Sequence, residues 1–314
     1  MSTVFTFPGQ GSQSVGMGKD IADAYPEARA VFEEVDDTLG QKLSEIIWNG
    51  PEDTLTQTAN TQPALMAVSL AVLKALEVEG VSLSASAKYV AGHSLGEYSA
   101  LAAAGALTIA DTAKLLRIRG EAMQSAEPAG EGAMAAIIGL DVETLQSVTQ
   151  EASATGVCEF ANDNGGGQIV ISGQKDAIEK ACEIAKDNGA KRALLLPVSA
   201  PFHCSLMQPA ADAMRTALAD VAVKAPVVPV LANVSVEPLT DPDVIRASLV
   251  QQVTGQVRWR ESVEWFGQND ISTLYEIGAG KVLTGLARRI NRDLSGVTVN
   301  TADDVKAAAE ALNS

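Results

Sequence analysis

Gly92-His93-Ser94-Leu95-Gly96 stands between a short, partly β-favouring run, Ala87-Lys88-Tyr89-Val90-Ala91, and a stretch of small helix formers, Glu97-Tyr98-Ser99-Ala100-Leu101-Ala102-Ala103-Ala104. That is strand, tight turn, helix. A serine between two glycines at such a turn matches G-x-S-x-G, in which the glycines let strand and helix approach closely and the strained turn exposes the seryl Oγ. The hydroxyl would then sit at a helix N-terminus, where free N–H groups and the helix dipole stabilise an oxyanion. The competing reading is a Gly/Ser turn that merely begins a helix.

Outward from this stretch, strands and helices alternate, and the apolar content of 46% with only 4% aromatic residues describes a core of Ala, Val, Leu and Ile, as in helix-covered sheets. The fold class expected is α/β. With 23 basic against 39 acidic side chains the net charge is -16, which argues against nucleic acid and anionic membranes as partners. No basic, apolar leader follows Met1 and no run of about 18 apolar residues occurs, so a cytoplasmic protein is expected. Cys158, Cys182 and Cys204 fit neither a C-x-x-C nor a metal-ligand spacing, so reduced thiols and no metal are expected.

Thr3 to Phe7 reads as a first strand that ends at Pro8-Gly9-Gln10-Gly11-Ser12-Gln13. A phosphate-binding G-x-G-x-x-G would need glycine at Ser14, so the loop is better suited to offering N–H groups to an oxyanion. Helices are expected over Asp20–Leu39 and Pro63–Glu79, and from the cap at Thr108 to about Gln124. The last of these holds two unlike arginines. Arg117, with Lys114 and Glu121 at helical spacing, reads as part of a solvated, salt-bridged face. Arg119 lies among Leu115, Leu116, Ala122 and Met123, where a guanidinium is costly unless it meets an anion, either a substrate or an internal carboxylate.

From Gly132 the pattern changes to strand Ala133–Leu140, helix Asp141–Glu151, strands Val157–Ala161 and Gln168–Ser172, helix Lys175–Asn188 and strand Lys191–Val198. This β-α-β-β-α-β order is ferredoxin-like. The expected architecture is therefore a large α/β-hydrolase-like subdomain, residues 1–127 and 198–314, with a parallel sheet and a nucleophile elbow. A small ferredoxin-like α+β subdomain, residues 128–197, is inserted in it. His203, in the loop Ser199–Met207, and His93 are the only histidines. Neighbouring side chains at a tight turn diverge, so His203 is the better candidate base for Ser94, against the alternatives of a carboxylate base and of an ordinary loop histidine. Cys204 as a nucleophile beside its own histidine is disfavoured by the same geometry. Later strands are expected at Val227–Ala232 and Thr273–Ile277, and Arg288, Arg289 and Arg292 cluster on a helix near the C-terminus.

Five stretches in order, FPGQGSQ from Phe7, TQPAL from Thr61, GHSLGEYSAL from Gly92, IRGEAMQ from Ile118 and VSAPFHCSLM from Val198, supported by GAGKVLTGL from Gly278, resemble the malonyl-CoA:acyl carrier protein transacylases. The resemblance covers essentially the whole chain and implies malonyl transfer from coenzyme A to the phosphopantetheine thiol of acyl carrier protein, in fatty acid or polyketide synthesis. It implies Ser94 as nucleophile, His203 as base oriented by the Gln252 carbonyl, and N–H groups of Gln13 and Leu95 as the oxyanion hole. Arg119, Gln252, Phe202 and Met123 become candidate substrate-binding residues, with Gln62, Asn162 and His93 added to them. Phe202 resembles the form associated with malonyl rather than methylmalonyl selection. Malonyl-CoA and acyl carrier protein are the expected partners of a monomer that needs no cofactor. Because both proteins would be acidic, Arg288, Arg289, Arg292, Lys191 and Arg192 are candidates for a local basic docking patch. A serine esterase or thioesterase is the rival enzyme class; its usual order puts the histidine near the C-terminus, whereas no histidine follows His203. A non-catalytic acyl- or protein-binding module is the other rival.

Overall fold

The computed structural model describes residues 2–128, 130–198 and 200–314, so Met1, Ala129 and Ser199 of the Val198–Met207 stretch lie outside the described residues. Among the described residues ten strands form two sheets: β1 Thr3–Phe7, β2 Tyr89–Gly92, β3 Gly132–Ile138, β4 Cys158–Asp163, β5 Gln168–Gln174, β6 Arg192–Leu195, β7 Val230–Leu231, β8 Pro238–Leu239, β9 Thr273–Ile277 and β10 Ser295–Val299. The larger sheet has the order β10-β9-β1-β2-β7-β8 and is parallel except for β8. Every residue of β1 is buried, as befits a central parallel strand covered by helices on both faces.

Register explains where the chemistry sits. Phe7 pairs with Gly92, so the loop from Pro8 and the elbow at His93–Ser94 leave the sheet side by side at its C-terminal edge, where open α/β sheets place their ligands. Ala91 pairs with Leu231, which brings Asn233 to the same edge.

The smaller sheet has the antiparallel order β4-β5-β3-β6, the ferredoxin-like arrangement expected from the element order. One face packs Ile137 and Ile171 against the helices Val142–Ala152 and Lys175–Asp187 in a core of its own. The other face turns Met134, Ala136 and Val170 toward the main core and the sheet edge just described.

Several expected elements shift. The first long helix is two, Lys19–Ala24 and Pro26–Leu39, because Tyr25 is extended ahead of Pro26. The second begins earlier, at Thr58, and ends at Val78. It is long and apolar enough to cross a membrane, yet it is almost wholly buried within the protein. The strand expected over Val227–Ala232 contracts to β7. Arg117 is half-buried and donates to the amide oxygens of Asn60 (3.0 Å) and Gln41 (2.6 Å), so the expected salt-bridged face is replaced by neutral acceptors between helices.

Candidate active site

The elbow is held in a conformation few residues adopt. Ser94 has a φ of 54°, in the left-handed region, and His203 has a φ of 59°. Both glycines of the motif are required by contact: a Cβ on Gly92 would overlap the backbone of Gly96, and one on Gly96 would overlap the Phe7 carbonyl. The turn therefore packs directly on the end of β1.

Ser94 and His203 meet. The Ser94 Oγ lies 2.7 Å from His203 Nε2, and His203 Nδ1 lies 3.0 Å from the carbonyl oxygen of Gln252 and 3.1 Å from that of Gly255. Two carbonyls at Nδ1 can only accept, so the proton resides there and Nε2 is left free to accept from the serine. Burial, reinforced by the nearby Arg119 charge, pulls the imidazole down to about 3, which keeps it neutral as a base must be. His93 does not contact Ser94 Oγ; its Nε2 lies 3.0 Å from Asn164 Oδ1 and its ring packs against Trp259.

Arg119 is 1% exposed, on the helix Ile109–Ser125. Its Nη1 donates to Gln62 Oε1 at 2.9 Å, and its Nη2 donates to Gln252 Oε1 at 2.9 Å and to Ser94 Oγ at 3.1 Å. None of these partners is a carboxylate, and the buried Nε–H has no acceptor among the described residues. A desolvated guanidinium with neutral partners and a donor to spare is prepared for an anion from outside.

Gln252 is fully buried beside Arg119 and is not among the residues that border the cavity. It holds other groups instead, through its carbonyl to His203 and its side-chain amide to Arg119, Ser94 O (3.0 Å) and Glu97 Oε2 (2.8 Å). Two further residues belong to this layer and were not singled out in the sequence. Asn233 Oδ1 accepts from Ser94 N at 2.8 Å while its Nδ2 donates to Gly92 O at 2.7 Å. Glu97 Oε2 accepts from Asn233 N at 3.0 Å.

The cavity at Ser94 has a volume of about 130 Å³ and is bordered by Gln10, Leu95 and Gln62, by Met123 and Met134, and by Asn162, Leu196, Val198 and Phe202, besides His93, Arg119 and His203. Gln13 is not among these residues; its Oε1 accepts from Gly11 N at 2.7 Å and so shapes the loop. That bond uses the Gln13 side chain and leaves its backbone N–H, the expected oxyanion donor, unengaged. Among the described residues none of the Gln10, Gln13 and Leu95 backbone N–H groups has an acceptor. The remaining candidates Phe202, Met123, Gln62, Asn162 and His93 all line the cavity.

The basic cluster divides. Arg289 packs on Gly166 and Lys191 on Gly139, and these glycines sit in turns joined by the Gly139 N–H to Gly167 carbonyl bond (2.9 Å), close to the Asn164 that meets His93. Arg192 is exposed at the start of β6. Arg288 and Arg292 instead line a separate groove of about 490 Å³ with Lys281, alongside β10.

A parallel sheet with a serine elbow, a histidine at hydrogen-bond distance and a buried cation beside the serine defines a serine-centred α/β acyl-handling protein. The chain belongs to the acyl transferase family, whose domain model, "Acyl transferase domain", it matches over residues 4–302. It is 46% identical over 309 residues to the malonyl CoA-acyl carrier protein transacylase of Bacillus subtilis, covering 98% of this chain and 96% of that protein. Its fold superposes with a TM-score of 0.98 on the acyl-carrier-protein S-malonyltransferase of Bartonella henselae, 59% identical over 100% of both chains. It also superposes, at 0.96 and 42% identity over 99% of this chain and 100% of the other, on a malonyl-transacylase solved in complex with a type II polyketide acyl carrier protein.

Proposed function

We propose that the protein transfers malonyl groups from malonyl-CoA to the phosphopantetheine thiol of acyl carrier protein, supplying fatty acid biosynthesis, through a malonyl-serine intermediate. The observation that carries this reading is the buried Arg119 guanidinium, with neutral partners only, 3.1 Å from Ser94 Oγ.

His203 Nε2 takes the Ser94 proton as Oγ attacks the thioester carbonyl. The Gln13 and Leu95 N–H groups receive the developing oxyanion, each contributing roughly 3 kcal/mol as donors in comparable sites do. The tetrahedral species collapses, the C–S bond breaks, and His203 returns its proton to the departing coenzyme A thiolate. The carrier thiol then attacks the seryl ester with His203 again as base, and Ser94 recovers its proton. One thioester is exchanged for another, so no cofactor, metal or ATP is called for. Throughout, Arg119 holds the malonyl carboxylate; a pocket built around an ionic partner rejects acyl groups that lack one.

The small sheet, within residues 128–197, acts as an inserted subdomain that walls the cavity through Met134 and Asn162 and limits the space for water. We take the protein to be a cytoplasmic monomer, with Arg289, Lys191 and Arg192 forming the carrier-docking rim. The test is incubation with radiolabelled malonyl-CoA. Label bound to the native protein, absent in Ser94→Ala and discharged onto holo-carrier protein, is the expected result. Release of free malonate as the main product would instead mark a hydrolase, and no label at all a binding module.

A further inference from the structure

The transfer steps leave a buried carboxylate close to Arg119 without a task. Glu97 is 2% exposed, and a single oxygen, Oε2, accepts from Gln252 Nε2 at 2.8 Å and from Asn233 N at 3.0 Å. The far end of the Gln252 amide, Oε1, accepts from Arg119 Nη2 at 2.9 Å. One amide thus bridges anion and cation, its N–H toward Glu97 and its oxygen toward Arg119. Through Asn233 the same carboxylate is also tied to the Ser94 N–H and the Gly92 carbonyl.

We propose that Glu97 is a positioning residue that supplies, through the Gln252 amide, the resting counter-charge of Arg119, and so sets how tightly the site grips an acyl group bearing a free carboxylate. The proposal rests on the reading of Arg119 as the carboxylate anchor. With substrate bound, the guanidinium is flanked by two anions, and each weakens its hold on the other in a site of low dielectric. An ionised Glu97 therefore loosens the malonyl carboxylate, which helps the second half-reaction release it; a neutral Glu97 tightens the grip.

Burial pushes the Glu97 carboxyl up to about 7, against the opposing pull of Gln252, Asn233 and Arg119, so its charge changes near neutrality. The titratable groups around it are Arg119 from the helix Ile109–Ser125, Tyr98 on its own helix, and His203 and His93 at the cavity wall. Burial lowers both histidines and raises Tyr98. Arginine stays protonated, which leaves Glu97 as the group of this set that titrates between about pH 6 and 8.

The experiment compares the KM for malonyl-CoA in serine acylation with the inhibition constant of acetyl-CoA, which carries the same nucleotide phosphates without the carboxylate. In the native enzyme the ratio of KM to that constant rises about three- to tenfold from pH 6 to pH 8. In Glu97→Gln, whose amide oxygen can accept both hydrogen bonds, the ratio is independent of pH and close to the native low-pH value. A ratio that is flat with pH in the native enzyme overturns the proposal, and so does a Glu97→Gln enzyme in which both constants worsen alike, as a purely structural role requires. Should that variant fail to fold, the native pH profile decides. A native enzyme that is not acylated by malonyl-CoA at all overturns the reading of Arg119 along with this one, an outcome distinct from a flat ratio.

Discussion

Arg119 Nη2 lies 3.1 Å from Ser94 Oγ, so the cation and the seryl oxygen share one corner of the cavity. In a malonyl thioester a single methylene separates the carboxylate from the carbonyl carbon under attack. The distance therefore suits a three-carbon diacid better than a longer one. Arg119→Ala is expected to lower kcat/KM for malonyl transfer about 100- to 1,000-fold, while acetyl transfer persists or rises. Acyl-transfer assays with malonyl-, succinyl- and acetyl-CoA check both statements, and an unchanged malonyl preference in the variant would remove Arg119 from its role.

The His203 environment makes a prediction about pH. A free histidine would protonate near its ordinary value of about 6.5 and switch off as a base, but burial and Arg119 hold this one down to about 3. The single-turnover acylation rate at saturating malonyl-CoA should stay level from pH 8 to below pH 6, with no inflection near about 6.5. The same shift has a cost in stability. A group with a depressed folded-state pKa contributes stability that is complete above the unfolded value and drains away as pH falls toward the folded one, so the His203 contribution is lost from about 6.5 down to about 3. Stopped-flow acylation across this range, in the native enzyme and in His203→Ala, is the measurement; the variant should lose about 1,000-fold or more.

How far these residues could be read from the sequence depended on whether a local pattern or a tertiary contact made them functional. Ser94 was legible because glycines, strand and helix announce an elbow within a dozen residues, and Arg119 because a charge at apolar spacing is conspicuous. Gln10 and Gln13 are two amides of one loop, and only its folded path, with Gln13 Oε1 accepting from Gly11 N, sets where their N–H groups lie. Gln252 near the end of the helix Pro242–Thr254 and Asn233 after β7 carry no local signal, since each becomes functional by arriving at the same sheet edge. Glu97 is subtler still. An acidic residue in a first helical turn is ordinary dipole complementation, and nothing in that pattern indicates burial beside an arginine.

The elbow glycines give a packing prediction. Adding one methyl at Gly96 places it on the Phe7 carbonyl, and neither partner is a flexible side-chain end that could step aside. Gly96→Ala should destabilise the fold by about 3 kcal/mol or more and abolish acylation together with it. Gly285→Ala, where a methyl would meet nothing, serves as the control and should leave stability within about 1 kcal/mol of native. Chemical denaturation of the three proteins separates these outcomes, and equal midpoints would show that the elbow does not pack on β1 as described.

The proposed docking rim draws on only part of the arginine cluster, because Arg288, Arg289 and Arg292, though close in sequence, border different features. Arg288 and Arg292 line the groove along β10, whereas Arg289 rests on the Gly166 turn, across from Lys191 on Gly139 and two residues from the Asn164 that contacts His93 at the cavity wall. A carrier protein must present its phosphopantetheine at that cavity, so its acidic surface should feel Arg289 before Arg288. Charge reversal at Arg289 should raise the KM for holo-carrier protein about tenfold with little change in the KM for malonyl-CoA, and added salt should narrow the gap by screening the contact. Arg288→Glu should have a distinctly smaller effect. Equal effects of the two substitutions would place the docking surface along the β10 groove, and an equal rise in both KM values for Arg289→Glu would mean that the residue serves the cavity itself and not the partner.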